Sequence, residues 1–65
     1  MKIMVNGTPH EVAATTLSKA LTELGFHDGR FATAVNEAFV PAALRDAQAL
    51  QPGDRLEILS PMQGG

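Results

Sequence analysis

Apolar residues along this chain first alternate with polar ones, then recur at helical spacing, then alternate again. In Lys2-Ile3-Met4-Val5, Ile3 and Val5 fall on one side of a β-strand and Lys2 and Met4 on the other. Asn6-Gly7 follows and predicts a tight hairpin, because both residues tolerate a positive φ. The return strand is expected over His10-Glu11-Val12-Ala13, where the alternation is weaker. Leu17, Ala20, Leu21 and Leu24 then recur at i, i+3, i+4 and i+7, one apolar stripe of an amphipathic helix. Thr15 and Thr16 are its candidate N-caps, and Gly25 stands where a left-handed residue ends a helix. So short a helix needs a surface to pack on, and a sheet is the natural one.

The second half returns to strand periodicity. Phe31 to Asn36 reads as a strand with Val35 near its end, Asn36-Glu37-Ala38 as a turn, and Phe39-Val40 as a short strand stopped by Pro41. Asp28-Gly29 marks the loop before it, and the alanine-rich stretch from Ala42 to Ala49 suits a short helical turn. Leu50 is expected to anchor inward. Gln51-Pro52-Gly53-Asp54 places Pro and Gly where a type II turn favours them. The last strand is Arg55-Leu56-Glu57-Ile58-Leu59, with Leu56 and Ile58 toward the core and Arg55, Glu57 and Leu59 away from it. The order β-β-α-β-(β)-β predicts an α+β domain over 1–65: a mixed sheet of four to five strands, one main helix across one face, and a flexible tail over 60–65.

Composition narrows the function classes. A domain of 65 residues buries only about 60% of the surface its unfolded chain exposes, which leaves little room for a deep catalytic cleft. No nucleophile-base pair or metal-ligand pattern stands out, so the expectation is a protein that is not itself an enzyme. The formal net charge is -2, and Lys2, Lys19, Arg30, Arg45 and Arg55 are scattered singly, against nucleic-acid binding. There is no cysteine, which excludes disulfides and thiolate metal sites; His10 and His27 are read as surface or loop residues, and no metal or bound cofactor is expected. Met1–Val5 is too short for the apolar core of a signal peptide, and no segment nears the roughly 20 apolar residues of a membrane span, so the expected compartment is the cytoplasm.

One helix covers one face of a sheet, and the other face then lacks cover. Met4, Leu59 and Met62 fall there, with Phe39 either beside them or in the core, since so short a strand leaves its facing open. Such a patch suits a partner interface; the alternative is scattered exposed apolar residues, which are normal on any surface.

The candidate chemistry lies at the end of the chain, in Ser60-Pro61-Met62-Gln63-Gly64-Gly65. Two terminal glycines arise by chance in about one chain in 200, a weak signal that gains weight from the strand and short extended segment before it. Six extended residues reach roughly 20 Å, far enough to carry a terminal carboxylate into another protein. Glycine has no Cβ, so Gly64 and Gly65 suit a narrow channel. A carboxylate is a poor acyl electrophile, but it can attack the α-phosphorus of ATP and become an acyl-adenylate, from which a sulfur nucleophile displaces AMP. The competing reading is a frayed end.

Several of these features together resemble the thiamine-biosynthesis sulfur carrier family, ThiS. They are Ile3, Val5-Asn6-Gly7, Thr16-Leu17 and Leu21, then Asn36, Val40-Pro41, Leu50, Gly53-Asp54, Leu56-Glu57-Ile58 and Gln63-Gly64-Gly65. Ala42 stands where many relatives have Arg, and Arg45 lies near the place of a large aromatic; Pro61 before Met62 is similar to the molybdopterin-synthase carrier MoaD. The resemblance implies a ubiquitin-like β-grasp fold. It also implies adenylation of Gly65 by an E1-like partner, ThiF, and conversion to 1-thioglycine with sulfur drawn through a cysteine desulfurase. The loaded carrier then delivers sulfur to thiazole synthase, ThiG. Other readings are a MoaD-like carrier, a ubiquitin-like modifier, and a non-covalent β-grasp interaction module.

Overall fold

The computed structural model describes residues 1–27 and 30–60. The loop residues Asp28-Gly29 and the tail residues Pro61, Met62, Gln63, Gly64 and Gly65 lie outside the described residues. Five strands and one α-helix follow in the order β1 (Lys2–Val5), β2 (Thr8–Glu11), α1 (Leu17–Glu23), β3 (Ala32–Val35), β4 (Ala38–Val40) and β5 (Arg55–Leu59). A 3₁₀ turn at Ala42–Leu44 lies between β4 and β5.

The strands form one mixed sheet in the order β2-β1-β5-β3-β4. β1 and β5 are parallel, and the other pairs are antiparallel. The last strand in sequence thus occupies the middle of the sheet, between the two hairpins. This is the ubiquitin-like β-grasp fold. Both hairpins turn on two residues, Asn6-Gly7 and Asn36-Glu37, all four with positive φ, the type I′ pattern that matches strand twist. Glu37 holds φ +74 without the freedom of glycine.

Strand alternation fills the core as expected. Ile3, Val5, Val35, Val40, Leu56 and Ile58 point to one face of the sheet and meet Leu17, Ala20 and Leu21 of α1, with Val12 and Leu50 closing the rim. The Thr16 hydroxyl caps α1 by accepting from the Lys19 N–H at 3.4 Å. Two further N–H groups of the first turn find carbonyls in the 45–50 loop: Leu17 donates to Gln48 at 2.8 Å and Ser18 to Arg45 at 3.1 Å. At the other end Gly25 adopts φ +96, the left-handed conformation that stops the helix.

Several boundaries differ from the sequence reading, among them the end of β3 at Val35 and the start of β4 at Ala38, because the turn holds only Asn36-Glu37. β2 runs over Thr8–Glu11, earlier than His10–Ala13, because the two-residue turn sets Thr8 opposite Val5. Pro9 is tolerated there because β2 is an edge strand. Phe31 precedes β3 and packs edge-on against Phe26, with ring centroids 5.3 Å apart. Only Ala42–Leu44 of the 42–49 stretch is helical, as a single 3₁₀ turn. Among the described residues no helix is long and apolar enough to cross a membrane.

Candidate functional site

The strand that precedes the tail, β5, is the central strand of the sheet. β5 is flanked by β1 and β3, and its turn at Gln51–Asp54 is closed by the Asp54 N–H donating to the Gln51 carbonyl at 3.1 Å. The Asp54 carboxylate accepts from the Gln51 N–H at 2.8 Å and from Asn36 Nδ2 at 2.9 Å. Leu56 and Ile58 anchor β5 in the core with 0% and 4% exposure, while Leu59, the residue after Ile58, is 70% exposed. Beyond it, Leu59 and Ser60 join Arg30, Phe31 and Ala32 around a shallow apolar groove at the root of the tail.

Strand register decides what lies on the sheet face away from α1. Met4 pairs with Arg55, Ala34 with both Glu57 and Phe39, and Ala32 with Leu59, so these residues share that face. Phe39 is 68% exposed and Met4 partly covered. The open facing of Phe39 is therefore decided: the Asn36-Glu37 turn sets Ala38 against Val35, which sends Val40 inward and Phe39 outward. Phe39 lies two strand spacings, about 10 Å, from Glu57 across Ala34 of β3, and Leu59 is two residues further along β5. Arg55 forms an exposed ion pair with Glu37 at 3.6 Å, of little energetic weight. The described part of the face is thus apolar at Phe39 and Leu59, with charges interleaved. Met62, Gln63, Gly64 and Gly65 fall outside the described residues.

Sequence reasoning missed four polar residues that tie the elements of the scaffold together. Arg45 was counted only as a scattered charge, yet it is 8% exposed. Its Nε donates to Thr33 Oγ1 at 3.2 Å, its Nη2 donates to the Phe31 carbonyl at 2.6 Å, and its guanidinium lies 4.6 Å from the centre of the Phe31 ring. It ties the 45–50 loop to the start of β3, beside the tail root. Glu23 accepts from the Ala13 and Ala14 N–H groups at 2.9 to 3.1 Å, fixing the link from β2 to α1. Asn36 Oδ1 accepts from the Arg55 N–H at 2.9 Å, at the start of β5. Asn6 bonds both backbone groups of Ile58, near the end of β5. The two hairpin asparagines were legible as turn residues; their reach to a strand some 20 to 50 positions away was not.

His10 and His27 are both exposed and sit on separate elements. A pocket of ≈ 190 Å³ between α1 and the 42–46 stretch is lined by Ser18, Thr22, His27, Arg45 and Asp46 among others.

Residues 3–65 match the ThiS family, nearly the full chain including the terminal glycines. The chain belongs to the ThiS family. Its fold is similar to the crystal structure of the thiamine biosynthesis protein ThiS from Geobacter metallireducens, with a TM-score of 0.83, 26% identity and 100% coverage of both chains. A solution structure of a thiamine biosynthesis protein from the same organism gives a TM-score of 0.79 at 26% identity, covering 100% of this chain and 88% of that one. A thiazole synthase of Magnetococcus marinus is 39% identical over 66 residues, covering 100% of this ThiS-family chain. The chain spans only 20% of the length of that curated relative.

Proposed function

We propose that this ThiS-family chain is a sulfur carrier for the thiazole of thiamine, and that its working group is the Gly65 carboxylate. The observation that carries this reading is a family match running to residue 65, through Gly64-Gly65, on a strand that occupies the centre of the sheet. The carboxylate attacks the α-phosphorus of ATP, forming glycyl adenylate and releasing pyrophosphate. The terminal sulfur of a persulfide then attacks the acyl carbon and AMP leaves with the bonding pair; a thiol cleaves the resulting acyl disulfide, giving the thiocarboxylate and a new disulfide. An E1-like partner, ThiF, supplies the ATP site, and a cysteine desulfurase supplies the sulfur. The carrier contributes no catalytic side chain. It presents a slim terminus, and Phe39, Leu59, Met4 and the tail residue Met62 are the contacts a partner grips. That a thiazole synthase contains a stretch similar to the whole of this chain favours thiazole synthase, ThiG, as the acceptor.

Incubation with ATP, the E1-like adenylyltransferase and a sulfur source, followed by intact-mass measurement, tests this. The expected product is the chain with one oxygen exchanged for sulfur. Deleting Gly65 is expected to abolish loading and leave the melting temperature unchanged, because no core residue is touched. A truncated chain that still acquires sulfur, or an intact chain that forms a protein conjugate instead, overturns the proposal. Rescue of a deletion strain by thiazole, and not by a molybdopterin source, separates the thiamine pathway from the related one.

A further inference from the structure

Asn6 does more than permit a turn. The parallel ladder between β1 and β5 pairs Met4 with Arg55 and Val5 with Leu56, and there β1 ends in its hairpin. The Asn6 N–H makes the last main-chain bond, to the Leu56 carbonyl at 2.9 Å. In a strand, the N–H and C=O of one residue point to the same side. The Ile58 N–H and C=O therefore face the gap that β1 has vacated, while β3 serves the other edge of β5. An unpaired main-chain group at a buried residue is costly, and Ile58 is 4% exposed. The Asn6 carboxamide fills the gap as a peptide group would. Its Oδ1 accepts from the Ile58 N–H at 2.8 Å, and its Nδ2 donates to the Ile58 carbonyl at 3.2 Å. One side chain thus extends the ladder by a residue pair, ending just before Leu59 and Ser60, where the tail begins.

We propose that Asn6 is a positioning residue for the carrier reaction: by clamping Ile58 it orders Leu59 and Ser60, the residues from which the tail continues. The inference rests on the carrier reading above. Asn36 makes the natural comparison. It occupies the same place in the other hairpin, with φ +50 against +49 for Asn6, and its Oδ1 also accepts from a β5 N–H, that of Arg55. That bond lies at the far end of the strand from the tail. Loss of either clamp loosens β5, but only the Asn6 clamp adjoins Leu59, which is then held on one edge alone, by its pair with Ala32 of β3.

The test uses Asn6→Gly and Asn36→Gly, because glycine keeps the positive φ that other residues resist. Hydrogen exchange at Ile58, NMR order parameters for Leu59 and Ser60, and adenylation kinetics followed by pyrophosphate release are measured on each. Asn6→Gly is expected to speed Ile58 exchange and lower the order of Leu59 and Ser60. Its KM for the carrier should rise by about 5- to 10-fold, because the ordering that one to two hydrogen bonds supplied must now be drawn from the docking energy, with kcat within about twofold. Asn36→Gly is expected to lower stability with KM unchanged. Asn6→Asp keeps an acceptor for the Ile58 N–H but turns a carboxylate oxygen toward the Ile58 carbonyl, so its KM should rise at least as far as that of Asn6→Gly; it also serves if the glycine variant fails to fold. Wild-type KM in Asn6→Gly, or an equal rise in Asn36→Gly, overturns the proposal. If the wild-type chain is never adenylated, the carrier reading fails, and unchanged order at Leu59 and Ser60 in Asn6→Gly overturns the clamp independently.

Discussion

Leu56 and Leu59 share one strand, three positions apart, and face opposite ways, with 0% and 70% exposure. Truncating each to alanine isolates what facing alone is worth. Leu56→Ala opens a cavity beneath α1 in the central strand, and fully buried Leu→Ala changes cost about 2–5 kcal/mol. Leu59→Ala removes the same atoms from a site that is about one-third covered. At roughly 0.8 kcal/mol per buried methylene, three such groups one-third buried lose about 0.7 kcal/mol. A domain of 65 residues has on the order of 3–10 kcal/mol in all. Leu56→Ala is therefore expected to take a large share of the total stability and Leu59→Ala a minor one. The chain has no Trp or Tyr, so urea unfolding is best followed by far-UV circular dichroism. With a slope of about 1 kcal/mol per M, the midpoint should fall by roughly 2 M or more for Leu56→Ala and by less than about 1 M for Leu59→Ala. Binding to the proposed E1-like partner should show the reverse: with Leu59 as an interface anchor, Leu59→Ala weakens it about 5- to 30-fold. Equal midpoint shifts would refute the strand facing. A small shift with unchanged partner affinity would refute the interface and leave the facing intact.

Other consequences are open to the same denaturation assay. Glu37→Gly relieves a positive φ and gives up only an exposed ion pair, so a gain of about 0.5–1 kcal/mol is expected; a loss would show that the Arg55 pair matters more than its exposure implies. Arg45→Lys keeps the charge but cannot serve both Thr33 Oγ1 and the Phe31 carbonyl while lying flat on the ring, and should cost about 1–2 kcal/mol. An unchanged midpoint there would reduce Arg45 to a surface cation.

Much of this molecule follows from local pattern. The stripe of Leu17, Ala20 and Leu21 placed α1, the alternation in 55–59 placed β5 with its bounds and facing, and Asn6-Gly7 placed the first hairpin, because a helix face, a pleat and a turn each need only near neighbours. The terminal glycines and the spaced family residues pointed to the carrier class for a similar reason: they lie along the chain itself. What needed the tertiary structure was every property set by register or by distant partners. Phe39 could have faced either way until a two-residue turn fixed its strand against β3. Arg45 looked like any surface cation, because only folding brings Thr33 and the Phe31 carbonyl to it. Asn6 looked like a turn residue, because its side-chain partner lies 52 positions later and meets it only when β5 slides between the two hairpins. Polar groups declare their role through the one or two atoms they bond, and no periodicity in the sequence records where those atoms will be.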